Sequence, residues 1–192
     1  SLAMNISGVT QLLQRSQAGD AEALGALYAQ LYPEIKRVAR MRLLDSANVR
    51  AAAGLNTTGL VHEGFLRIAE QEGLQGNTRA HFFAYIGQVL RSVVIDQLRA
   101  AQREKRGGAQ AVFVTLSAAE DLPSGGDNPV DLLAVDQALT RLRRFDAPLA
   151  ELLDLVGFAG LAPGEVAELR GVSTRTVQRD LQKARALLAE ML

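Results

Sequence analysis

The segment Leu161–Leu188, LAPGEVAELRGVSTRTVQRDLQKARALL, constrains this chain more than any other, because it prescribes two short helices meeting at a tight turn. Pro163 suits the first turn of a helix, where its missing N–H would have no partner anyway. Val166 and Leu169 give that helix an inner face, and small Ala167 lets a neighbour cross closely. Gly171 supplies the left-handed residue that ends it. Ser173 then caps a second helix, whose apolar positions Val177 and Leu181 recur one turn apart. The remainder of that helix offers Arg175, Thr176, Gln178, Arg179 and Lys183, which can donate to base edges or phosphates. An Arg/Gln face taken alone is more often simply solvated than bound to DNA. The conjunction of small residue, turn glycine, cap and basic second helix points instead to a helix-turn-helix made for a DNA major groove. Two positions depart from the usual pattern. Arg170 precedes the turn glycine where an apolar residue is expected, and Ala162 stands in place of a Ser or Thr cap.

Composition favours helices elsewhere too. Aromatic residues make up 5% of the 192 residues, Trp is absent, and Ala and Leu dominate the 48% apolar content. That mixture disfavours sandwiches and barrels. The lack of cysteine excludes disulfides, thiolate metal sites and cysteine nucleophiles. His62 and His81 are too few and too far apart for a histidine metal cage, and His62-Glu63 has Leu66 where the zinc-protease helix needs its second histidine. No phosphate loop, dinucleotide fingerprint or nucleophile elbow occurs. No apolar run reaches membrane-spanning length and no signal peptide is recognisable, while Ser1-Leu2-Ala3 ahead of Met4 reads as an expression scar. The expectation is a cytoplasmic protein with no membrane insertion, no cofactor, no metal and no enzymatic activity.

Formal net charge is zero, but the charges are segregated. Ser117 to Asp136 holds Glu120, Asp121, Asp127, Asp131 and Asp136 with no Lys or Arg. Arg170, Arg175, Arg179, Lys183 and Arg185 are opposed over their span by Asp180 alone, and Arg91, Arg99, Arg103, Lys105 and Arg106 by Asp96 and Glu104. Two basic patches therefore flank an acidic connector. Residues 107–128, with Gly107-Gly108, Pro123 and Ser124-Gly125-Gly126, read as a flexible linker between a domain at 5–106 and one at 129–192. Val112-Phe113-Val114 is a candidate extended piece within it. Asn128-Pro129 is expected to open the next helix as cap and first residue.

The first domain reads as consecutive helices. Val9–Ala18 ends at Gly19, Asp20 caps a helix to Leu44 broken or kinked at Pro33, and Thr57 or Thr58 caps one reaching Glu72. Val61, Phe65 and Ile68 read as its core positions. Gly59 and Gly64 cost that helix about 1 kcal/mol each in propensity, so it is expected to lean on a partner for full order. Thr78 starts the longest helix, to about Arg103. There Phe82, Phe83, Ile86, Val89/Leu90, Val93/Val94 and Leu98 trace an apolar stripe, opposed by a polar, increasingly basic one through Gln88, Arg91/Ser92 and Arg99. The fold class is therefore all-α, in two small helical domains.

The run TTGLVHEGFLRIAEQ, the helix AHFFAYIGQVLRSVVIDQLRAAQREKRGG, the linker and the helix-turn-helix, taken in that order, resemble bacterial RNA polymerase sigma factors of the extracytoplasmic-function type. AGDAEALGALYAQLYPEIKRVARMRLL is similar to that family's opening helices, so the likeness covers Val9 to Leu188. The resemblance implies a first domain that docks on the polymerase clamp and opens the minus-10 element, and a second that docks near the flap and reads the minus-35 element. By that likeness His62, Glu63, Leu66, Arg67 and Glu70 face the clamp. Gln75 and Asn77 hold an unstacked base, and Gln88, Arg91, Ser92 and Arg99 follow the strand. Ser92 falls where many such proteins carry Asn. Thr174, Arg175, Gln178 and Arg179 would reach base edges with Thr176 beside them, and Lys183 and Arg185 the backbone. The implied partners are core RNA polymerase and promoter DNA, with an anti-sigma inhibitor a third partner open to such a protein, and the implied location is the nucleoid once in holoenzyme. A stand-alone repressor or activator, and a protein-binding adaptor derived from a sigma factor, are the alternatives.

Overall fold

A computed structural model describes residues 6–39, 57–70, 79–104, 113–115 and 129–192. Helix α1 (Ile6–Gln17) and helix α2 (Ala21–Ala39) form an antiparallel pair around Gly19. Asp20 caps α2 as expected, its Oδ1 accepting the Ala23 N–H at 3.1 Å, while Arg15 holds Oδ2 at 2.7 Å. Ala23, Leu27, Leu31 and Ile35, spaced four apart on one face of α2, are fully buried. Pro33 lies inside this helix. The expected end of α2 at Leu44 lies outside the described residues, as do Gln75 and Asn77.

Helix α3 (Thr57–Glu70) lays Leu60, Val61, Phe65 and Ile68 on α2 and on the long helix α4 (Arg79–Glu104). Gly64 here has a packing reason that propensity misses. A Cβ at this position would come within 2.6 Å of the Leu90 side chain, so glycine lets α3 and α4 approach closely.

Helix α4 departs from the expected division into one apolar and one basic stripe. Phe82, Ile86, Val89 and Val93 are buried, and so are Ala84, Gly87, Arg91 and Ile95 further round the helix. A helix buried on more than one side lies in the middle of a molecule. The second half of the chain supplies the other cover.

That half begins with a correction. Pro129 does not open a helix. Pro129–Asp131 forms strand β2, paired antiparallel with β1 (Phe113–Thr115) in the register Phe113↔Asp131, Val114↔Val130, Thr115↔Pro129. Proline at the first residue of a short strand gives up no necessary ladder bond. Helix α5 (Leu132–Phe145) follows, burying Leu132, Val135, Ala138, Leu139 and Leu142. Asp146 caps helix α6 (Ala147–Leu153) by accepting the Leu149 N–H at 3.2 Å. The chain continues through a π-helical turn over Asp154–Phe158 into helix α7 (Pro163–Arg170) and helix α8 (Thr174–Met191). Among the described residues, the fold is all-helical apart from the small ribbon. Buried apolar residues of both halves join in one hydrophobic cluster. Among the described residues, no helix is long and apolar enough to cross a membrane.

Candidate nucleic-acid interface

The turn between α7 and α8 is built as its residues require. Gly171 adopts φ 66° and ψ 35°, the Gly171 N–H reaches the Glu168 carbonyl at 3.3 Å, and the Val172 N–H reaches that of Ala167 at 3.1 Å. This double closure ends α7 and turns the chain through about one residue. Ser173 then accepts the Thr176 N–H at 3.1 Å and starts α8. Val166, Ala167, Val177 and Leu181 fill the angle between the helices.

Both departures from the motif find partners. Ala162 has no capping side chain, but its N–H donates to Glu165 Oε2 at 2.7 Å, half of a capping box. Arg170 turns back onto α6, donating to the Pro148 carbonyl at 3.2 Å and to Glu151 Oε1 at 3.1 Å. A guanidinium replaces the apolar peg, and its Nη2 is held by the helix it packs against.

With Val177, Leu181, Ala184 and Leu188 facing inward, Arg175, Arg179 and Lys183 occupy the opposite side at intervals of four. All three are exposed, as is Thr174, while Gln178 and Arg185 flank the stripe half-buried. Thr176 is half-buried, and its hydroxyl lies 2.9 Å from that of Ser173. Arg179 lies 3.4 Å from Asp180 with 73% of its side chain exposed, a surface pair too loose to hold it back from another partner.

The residues expected on α4 are in a different state. Ser92 donates to the Val89 carbonyl at 2.8 Å and receives Arg67 Nη1 at 2.9 Å. Gln88 is half-buried. Arg99 keeps 49% of its side chain exposed and lies 3.9 Å from Asp136 of α5. Arg91 is buried: its Nε donates to Asp136 Oδ1 at 3.1 Å, its Nη1 pairs with Asp154, and its Cζ lies 4.7 Å from the centre of the Phe158 ring. Asp154 is fully buried, and Arg143 of α5 pairs with its second oxygen. Burial pushes the Asp154 carboxyl up from its ordinary value, while Arg91 and then Arg143 pull it down. Sequence reasoning passed over Asp154, although an acid inside the apolar run Leu152–Phe158 was the available signal. It passed over Arg143 and the reach of Asp136 for want of any local sign.

On α3, His62, Leu66 and Glu70 are exposed at intervals of four, and Glu63 and Arg67 are half-buried. Arg67 Nη2 also pairs with Asp96 of α4 at 2.8 Å. Leu24 and Tyr28 of α2 add exposed apolar surface, the Tyr28 ring standing edge-on to Phe65 at 4.8 Å. Among the described residues, no cluster of His, Asp or Glu has the arrangement of a metal site.

Residues 6–192 match the family model described as ECF sigma factor. The chain is also similar to the ECF RNA polymerase sigma factor BldN of Streptomyces coelicolor, at 25% identity over 182 residues. The matched stretch is 95% of this chain and 65% of that protein's length.

Proposed function

This chain belongs to the ECF sigma factor family, and on that premise we propose that it is a dissociable sigma subunit, binding core RNA polymerase and directing initiation at specific promoters. The observation that carries this reading is the stripe of Arg175, Arg179 and Lys183, exposed on the second helix of a helix-turn-helix. In this reading Arg175, Arg179, Gln178 and Thr174 reach base edges of the minus-35 element, and Lys183 and Arg185 its phosphates. A bidentate arginine contributes about 1–3 kcal/mol of discrimination between bases. Helix α3 supplies the clamp-binding face through His62, Glu63, Leu66, Arg67 and Glu70, extended by Leu24 and Tyr28. Helix α4 and the segment before it, with Gln75, Asn77, Gln88, Arg91, Ser92 and Arg99, meet the minus-10 element. The residues 5–106 and 129–192 form the two working domains, joined by the acidic segment that follows the polymerase's RNA exit path. The protein does no covalent chemistry; the polymerase makes the RNA, in the cytoplasm, on the nucleoid.

In vitro transcription with purified core polymerase, on fragments upstream of the gene, tests this. Discrete new transcripts are expected with the protein, and their loss with the double variant Arg175→Ala, Arg179→Ala. Failure to bind core polymerase at all would overturn the sigma reading and favour a repressor acting alone.

A further inference from the structure

We propose that Arg170 is a positioning residue for minus-35 recognition: its guanidinium ties the helix-turn-helix to α6 and so sets the angle at which α8 meets the groove. This rests on the reading of α8 as the minus-35 helix.

Helix α7 has little apolar surface with which to fix its own direction. It is eight residues long, and its buried side chains are Val166 and Ala167, with Leu169 partly buried against the core. Apolar contact is non-directional, so a patch this small tolerates rotation. Arg170, the last residue of α7, adds a directional restraint. Its Nη2 donates to the Pro148 carbonyl at 3.2 Å and to Glu151 Oε1 at 3.1 Å. One turn of α6 carries both acceptors, since Pro148 and Glu151 are three residues apart. A charged donor shared by a carboxylate and a carbonyl is held in direction as well as distance. The far end of the tie is firm, because α6 buries Leu149, Ala150, Leu152 and Leu153. The pair is also sheltered. Arg170 and Glu151 keep 21% and 18% side-chain exposure, so salt screens them less than a surface pair.

The near end of the tie sits where a shift is passed on at once. Gly171 follows Arg170 and makes the left-handed turn towards α8. Ser173 caps α8 three residues after Arg170, and Thr174 and Arg175 stand in the turn it starts. A rotation of α7 is therefore a displacement of the first turn of α8. Binding constellations need placement within about 0.5 Å, which a guanidinium with two acceptors secures better than an apolar peg. Glu151 has a second partner, His81 of α4, on its other oxygen. That contact plays no part in aiming α8, which makes His81 a control.

Holoenzyme assembled from core polymerase and the full chain is used to select from duplexes randomised upstream of the start site. Sequencing of the bound fraction gives the preference at each base position. The parent should select an upstream motif, read by α8, and a downstream one, read by the first half. Arg170→Met restores an apolar peg and removes the tie. It should lower the preference for the best upstream sequence over single-base changes about tenfold, the scale of one well-placed base contact. The loss should fall on several upstream positions together and leave the downstream motif unchanged. Glu151→Leu should do the same, and the double variant should be no worse than either single, because all three remove one interaction. Glu151→Gln keeps an amide oxygen for Arg170 and should retain most of the preference, and His81→Ala all of it. An unchanged upstream motif in Arg170→Met overturns the proposal. So does a loss confined to one base position, which would make Arg170 a direct contact, or a loss of both motifs, which would make it a residue of general stability. Additive losses in the double variant overturn it too, since Arg170 would then act other than through Glu151. A parent that binds core polymerase but selects no upstream motif overturns the reading of α8 itself, a result no variant can mimic.

Discussion

Among the described residues, α8 and α4 both carry arginines proposed above to meet promoter DNA, and the fold treats them in opposite ways. On α8 the stripe Arg175, Arg179, Lys183 stands in solvent, backed by a fully apolar inner face. On α4 Arg91 is enclosed by Asp136, Asp154 and the Phe158 ring, and Ser92 is tied to Arg67. The difference comes from what lies opposite. The outer side of α8 faces water, whereas α4 is sandwiched between α2–α3 on one side and the π-helical turn on the other. The same residue type is a ready contact in one place and a structural tie in the other.

The sharpest way to break this contrast is Asp154→Ala. It leaves the buried Arg91 and the half-buried Arg143 without the carboxylate they share, and the expected loss of stability is about 3–5 kcal/mol, read from denaturant unfolding. Arg175→Ala should do the reverse. It should weaken binding to the cognate minus-35 duplex by about 1–3 kcal/mol and leave the unfolding free energy within about 0.5 kcal/mol of the parent. An Arg175→Ala protein that unfolds as easily as Asp154→Ala would erase the distinction between the helices. Ser173→Ala removes the cap that aims α8, and is expected to cost about 1 kcal/mol of stability with a smaller loss of duplex affinity.

The smallest effect concerns a cap far from either basic stripe. The Ala23 N–H and then Arg15 hold the Asp20 carboxyl below its ordinary value of 3.8. Its folded-state pKa is lowered, so its contribution is complete above the ordinary value and fades as pH falls through the lowered one. Thermal melts taken downward from the ordinary carboxylate range should show less acid sensitivity in Asp20→Ala than in the parent. An unchanged acid limb would remove Asp20 from the account of α1–α2 stability.

Local rules made much of the molecule legible. The Asp20 and Ser173 caps, the Gly171 turn, and the core positions Val61, Phe65, Ile68, Val177 and Leu181 all follow from spacing and side-chain chemistry within a few residues. The basic stripe of α8 was legible for the same reason, since a helix with one apolar face must expose the other. Pro129 misled because an Asn-Pro pair suits a helix start and a strand start equally. The choice was made by Phe113–Thr115, fourteen or more positions earlier in the chain. Arg170 and Gly64 looked like defects because their partners, Glu151 and Leu90, lie on other helices.

The sequence by itself determined the helices, their caps and turns, the helix-turn-helix and the exposed cations of α8, because these depend on interactions between near neighbours and on one boundary with water. The tertiary structure alone decided the fate of α4. Whether Arg91 meets solvent or Asp154, 63 residues away, depends on which surface the second half covers. No period or local motif encodes that choice. It is set by the close approach at Gly87, the burial of apolar surface around it, and the need to pair every charge that burial takes from water.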